Sequence, residues 1–193
     1  VLEEQAIWIK PQAQGNTEMT RAFEEAEIVI KSWLNAQPEY ISDLLGMQKP
    51  RNECFPPVVI NITDAKHNGD GVPQNVADRI RRLRTENGAT LICNCHITHQ
   101  RARPCIFPRD INEVQRSIRD AQDESAQVDV RLVERMFEMS SVIPEALRVK
   151  AQAVMRQPIE SGARCFVFNA DPDVLIRFLR WGTLGNLGAE GRL

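Results

Sequence analysis

Asp64 is the side chain in this sequence best placed to hold a cation. It ends the run Val58-Val59-Ile60-Asn61-Ile62-Thr63, which is short, rich in β-branched residues and almost wholly apolar, as a strand covered on both faces is. In an open parallel sheet, ligands bind outside the carboxyl ends of the strands. A carboxylate there is a ready ligand for a hard cation, or an acceptor for its bound water. Thr17 follows Gly15-Asn16 at the start of a helical pattern, so its hydroxyl can reach the same crevice. Each residue has a plainer reading too: Thr17 as a helix cap, and Asp64 as a turn former through its own backbone.

His67, Asn68 and Asp70 follow Asp64 in a polar loop. Beside a metal they would suit a phosphatase or other hydrolase, and a turn built from Asn, Gly and Asp explains them equally well. The chain has no Gly-x-Ser-x-Gly elbow, no Gly-x-x-x-x-Gly-Lys phosphate loop and no dinucleotide fingerprint, which favours binding over catalysis. Cys93-Asn94-Cys95-His96 invites a zinc reading. A strand alternates faces, however, so Cys93 and Cys95 share one side and His96 takes the other, and no Cys-x-x-Cys pair exists to complete a site. Core thiols are the expectation. His99, beside Arg101 and Arg103, reads as surface.

The elements that must position these groups alternate in type. Ala6 to Ile9 is a short apolar run stopped by Pro11, read as a strand. From Thr20 to Leu34, Ala22, Phe23, Ala26, Val29, Ile30, Trp33 and Leu34 recur at three- and four-residue steps, the stripe of a helix, with its cap expected at Gly15-Asn16-Thr17. Pro38 to Pro56 reads as a short helix and a loop. Beyond Asp70-Gly71-Val72-Pro73, the positions Val76, Ala77, Ile80, Leu83 and Arg84 mark a second amphipathic helix, with Gly88 as its C-terminal cap. Thr90 to His96 is another strand.

Asp110 with Glu113 resembles a capping box ahead of Ile111, Val114 and Ile118. Helices are expected over Val128 to Met139 and Pro144 to Met155, the latter with Pro144 in the first helical position. Arg164 to Asn169 is a last strand, and Asp171-Pro172 opens a last helix ending at Gly182. This order predicts an α/β fold: an open, mainly parallel sheet with helices on both faces. One domain is expected over residues 1–193, with a helical insertion around 108–157.

Composition narrows the function classes. Hydrophobic residues make up 42% of the 193 and charged residues 26%, ordinary values for a folded chain. A net charge of -2 provides no global field for nucleic acid or an anionic membrane. The run Arg79, Arg81, Arg82, Arg84, interleaved with Asp78 and Glu86, reads as a solvated helix face. Five cysteines, some inside apolar runs, suit a reducing compartment. No apolar stretch approaches the roughly 20 residues of a membrane helix, and the first residues do not read as a signal peptide, so a cytoplasmic protein is expected.

Gly15-Asn16-Thr17 before a helix, and Pro57-Val58-Val59-Ile60-Asn61-Ile62-Thr63-Asp64-Ala65 downstream, resemble the second and third segments of the metal ion-dependent adhesion site of von Willebrand factor A domains. The later strands ending at His96 and Asn169 follow that family's order. The resemblance covers Ile7 to Trp181, with extra helices between Pro108 and Gln157. It departs from the family in two places. No aspartate followed by two serines at alternate positions precedes Thr17, and Asp123-Glu124-Ser125 has the wrong order; Ala65 stands where many relatives have glycine.

The resemblance implies that the first strands and three ligands lie upstream of Val1 or are absent. It also implies that Thr17 and Asp64 are ligands of magnesium or manganese, and that the metal accepts a carboxylate from a partner protein. A protein-interaction module, regulating or assembling a bacterial complex, is therefore the leading expectation. The alternatives are a metal-dependent hydrolase using Asp64, His67 and Asp70, and a metal-free scaffold. The sequence leaves the partner and the oligomeric state open.

Overall fold

The computed structural model describes residues 18–36, 41–42, 48–49, 55–64, 71–97, 103–121 and 129–184. In chain order its elements are α1 (Met19–Asn35), β1 (Ile41–Ser42), β2 (Gln48–Lys49), β3 (Val58–Thr63), α2 (Pro73–Arg82), β4 (Arg84–Thr85), β5 (Gly88–Ala89), β6 (Leu91–Ile97), β7 (Cys105–Ile106), α3 (Ile111–Ala121), α4 (Val130–Met139), α5 (Glu145–Met155), β8 (Phe166–Ala170) and α6 (Pro172–Leu184). Four strands form the main sheet in the order β3-β6-β8-β7. β3, β6 and β8 are parallel, and β7 runs antiparallel to β8 at one edge. The fold is the open, mainly parallel α/β architecture expected.

Two cores explain why β6 is buried from Leu91 to His96 on both of its faces. Leu91, Cys93 and Cys95 face one side of the sheet, packed with Met155 of α5 and Val174, Phe178 and Trp181 of α6. Ile92 faces the other, with residues of α1, α2, α3 and α4 and with Phe166 and Phe168. A strand covered on both sides has no polar face to show. On the second side, Glu27 of α1 is buried between Lys31, 2.6 Å away, and Arg79 of α2, 2.8 Å away, and these cations hold its carboxyl below the usual range.

Polar side chains tie the layers together. Asn61 Nδ2 donates to Asn94 Oδ1 at 2.8 Å, while Asn94 Nδ2 donates to Met136 O at 3.0 Å and Ser140 Oγ at 2.9 Å. Every donor and acceptor group of the fully buried Asn94 amide is thereby used, joining β3, β6 and the end of α4. At the start of β6, where β8 has not yet begun, Ser141 fills the gap. Its Oγ accepts from Ile92 N at 2.9 Å, its N donates to Ile92 O at 2.9 Å, and its carbonyl accepts from Cys165 N at 2.8 Å.

Several boundaries differ from the sequence reading. α1 has Glu18 as its N-cap residue, so the cap does not fall at Thr17. α2 ends at Arg82 because Leu83 turns extended and its carbonyl accepts from Thr90 N and Oγ1, at 2.8 and 2.9 Å; Gly88 therefore serves the β4–β5 hairpin rather than the helix. Around Ile41, an antiparallel pair of β1 with β2 replaces the expected short helix, since so brief an apolar pattern does not separate the two periods. Pro144 is the N-cap of α5, one position before its first helical residue. Gly182 lies inside α6, where an added Cβ would sit 2.7 Å from Ile60 Cδ1; the missing side chain is what lets α6 approach β3. The Asp110–Glu113 box forms as read, with Glu113 Oε1 accepting from Asp110 N at 3.1 Å and Asp110 Oδ1 accepting from Asn112 N at 2.8 Å. The strand expected at Ala6 to Ile9 lies outside the described residues.

Candidate functional site at the carboxyl edge of the sheet

Because β3, β6 and β8 are parallel, their carboxyl ends meet at one edge. Register sets Thr63 opposite His96 and Ile97 opposite Ala170, so Asp64 emerges beside the end of β6. Asp64 is exposed, and β3 is not the strand covered on both faces that its sequence suggests: it ends the described sheet, is mostly half-buried, and leaves Ile62 39% exposed. The helices that follow β3 and β8 begin on this side. Asp171 caps α6, its Oδ1 accepting from Val174 N at 2.8 Å.

His96 is buried and lies flat on Phe168, with ring centroids 4.8 Å apart and planes 9° from parallel. Its Nδ1 accepts from Asn169 N at 3.4 Å, which puts the proton of the neutral ring on Nε2. Asn169 reaches this position through a left-handed backbone, φ 55°, a conformation asparagine tolerates better than most residues. Burial lowers the His96 pKa to about 4, and the Asp64 carboxylate opposes that shift. The imidazole is therefore neutral at ordinary pH.

Among the described residues, the same edge holds two of the four buried polar side-chain atoms that lack a hydrogen-bond partner. A Cβ on Gly71, just before α2, would lie 2.8 Å from Thr20 Cγ2, so the first turn of α1 abuts the entry to α2. Thr20 Oγ1 in α1 and Gln74 Oε1 in α2 are buried there with no hydrogen bond among the described residues. Leaving such an atom unsatisfied costs about 1–3 kcal/mol, so an edge that holds two is unusual.

Of the residues singled out by sequence, Asp64 stands at this edge, while Thr17, His67, Asn68, Asp70 and His99 lie outside the described residues. Cys93 and Cys95 face the α5–α6 side and His96 faces away from them, as strand alternation requires. Cys93, Cys95, Cys105 and Cys165 are free thiols. Burial pushes Cys95 up to about 12 and Cys105 up to about 11, so neither is a ready thiolate ligand or nucleophile. Sequence reasoning treated His96 only as part of a zinc motif and missed its place beside Asp64. The available signal was the equal reach of two parallel strands.

No group of three or more His, Cys, Asp or Glu side chains converges among the described residues. Magnesium asks for an octahedron of oxygens, and one exposed carboxylate with a buried imidazole does not supply it. The described residues alone do not make a divalent-metal set. No protein-family model, curated protein or solved structure matches the chain. Among the described residues, no helix is long and apolar enough to cross a membrane.

Proposed function

We propose that this chain is a protein-binding module of the von Willebrand factor A type that engages its partner at the carboxyl edge of the sheet. Asp64 acts there as a ligand of magnesium or manganese, together with Thr17 and further oxygen ligands. A metal held there would leave a position for a carboxylate of the partner protein, and the complex regulates or assembles bacterial machinery in the cytoplasm. The observation that carries this reading is Asp64 itself, an exposed carboxylate at the carboxyl end of the parallel strand β3, where open α/β sheets present ligands. The unsatisfied Thr20 and Gln74 oxygens at the same edge give it further support. The neutral, buried His96 supplies a rigid wall beside the carboxylate, and free thiols suit a reducing compartment.

Calorimetric titration of magnesium and of manganese into the protein and into Asp64→Ala tests the reading. Asp64→Ala should lose the binding heat while keeping its far-ultraviolet dichroism. Equal binding by the two proteins would remove Asp64 from the metal site, and no binding by the parent would leave a metal-free scaffold.

A further inference from the structure

Two exposed surfaces on opposite sides of the sheet complement one another. α5 and α6 enclose a cleft of about 280 Å³ lined by Ala153, Val154, Arg156, Arg177 and Arg180. Arg177 is held in place, donating from Nη1 to Met155 O at 2.9 Å and pairing with Asp173. Arg156 and Arg180 are exposed, and neither has an ion pair among the described residues. The cleft is therefore locally cationic in a chain whose net charge is -2. Its flanks are aliphatic: Val149, one turn before Ala153, is 64% exposed, and Ile176, one turn before Arg180, is 65% exposed.

The outer face of α1 has the opposite character. Its inner positions Met19, Phe23 and Ile30 are buried in the core, while Ile28 is 60% and Val29 65% exposed. Glu24 and Glu25 lie one turn earlier on that exposed side, while the cations beside them, Arg21 and Lys31, are paired with Glu18 and Glu27. An acidic face with two bare aliphatic residues thus matches a basic cleft flanked by two more.

We propose that the chain associates with itself head to tail, the Glu24, Glu25, Ile28, Val29 face of α1 in one copy seating in the α5–α6 cleft of the next. α1 packs on one side of the sheet and α5 and α6 on the other, so the contact cannot form within one copy. It joins unlike patches, and such a contact propagates into open chains or rings rather than closing as a twofold dimer. The surface is small against the roughly 1,200 Å² of a stable interface, so association is weak and needs high protein concentration. It does not involve Asp64, and it stands or falls separately from the metal reading.

Sedimentation velocity between about 10 μM and about 1 mM, concentrations suited to weak association, reads this directly. The parent should form species beyond the dimer, less so as salt rises from about 0.05 to about 0.5 M. Ile28→Lys and Ile176→Asp are both surface changes, each setting a like charge against the opposing patch, and each alone should weaken self-association about tenfold or more. Mixed together, they should form a 1:1 pair that grows no further, because one retains a working α1 face and the other a working cleft. A parent that stays monomeric, an association that stops at a dimer, or variants that associate as the parent does would each overturn the proposal.

Discussion

Asn61 and Asn94 sit opposite one another on neighbouring parallel strands, and the amide of the first donates to the carbonyl oxygen of the second at 2.8 Å. Asn94 passes the connection on to the last turn of α4, so a single buried side chain sets the spacing of three elements. Buried polar networks of this kind are stabilising only when complete.

Asn94→Ala is therefore expected to cost about 2–4 kcal/mol in urea unfolding, combining a cavity with the loss of three hydrogen bonds. Asn61→Ala, at a half-buried position, should cost about 1 kcal/mol. The double variant should be less unstable than the sum, because the two side chains share a bond. Additive losses would show that the Asn61–Asn94 contact carries no energy of its own.

His96 makes stability depend on pH in a definite direction. Its folded pKa, about 4, lies below the ordinary histidine value of 6.5. Between those values the unfolded chain holds a proton that the folded chain does not. Stability from this group is thus complete above about pH 6.5 and is lost as pH falls toward 4, by up to about 3 kcal/mol. His96→Phe keeps a ring against Phe168 and cannot titrate. The gap in unfolding free energy between the parent and this variant should narrow or reverse from pH 7 to pH 4.5. Parallel curves for the two proteins would mean that His96 is not buried neutral.

Gly71 combines a φ of 97° with contact against Thr20, so Gly71→Ala meets both backbone strain and a clash. A loss of about 1–3 kcal/mol is expected from thermal or urea unfolding. Adding Thr20→Ser, which removes the Cγ2 that an alanine Cβ would strike, should return part of that loss and leave the backbone part. If the second change returned nothing, the close approach of α1 to α2 at this point would be wrong.

The three parallel strands were legible because β-branched and apolar residues gather in runs bounded by Pro, Asp and Gly, and the alternation of Cys93, Cys95 and His96 followed from the strand period alone. β7 escaped notice, since Cys105 and Ile106 between Pro104 and Pro108 are too few to show a pattern. The end of α2 was misplaced because Gly88 is a good helix cap in isolation, and only the Thr90–Leu83 bonds reveal the hairpin that claims it. At the candidate site, Asp64 could be read from its position after a strand. The burial of His96 could not, because a histidine that ends an apolar run is equally compatible with solvent until its neighbour Phe168 is known.

The order in which β6 gains its neighbours matters while the protein is being made. Asn61 and Asn94, which join β3 to β6, are 33 residues apart, whereas His96 and its partner Asn169 on β8 are 73 apart. At roughly 5–20 residues per second of synthesis, the second edge of β6 waits on the order of several seconds for β8 to leave the ribosome. Ser141 emerges well before β8 and bonds to Ile92, so it can shield the first residues of that edge in the interval. Ser141 keeps those first residues in the finished fold, so the stretch of β6 left open until β8 arrives is Asn94 to Ile97.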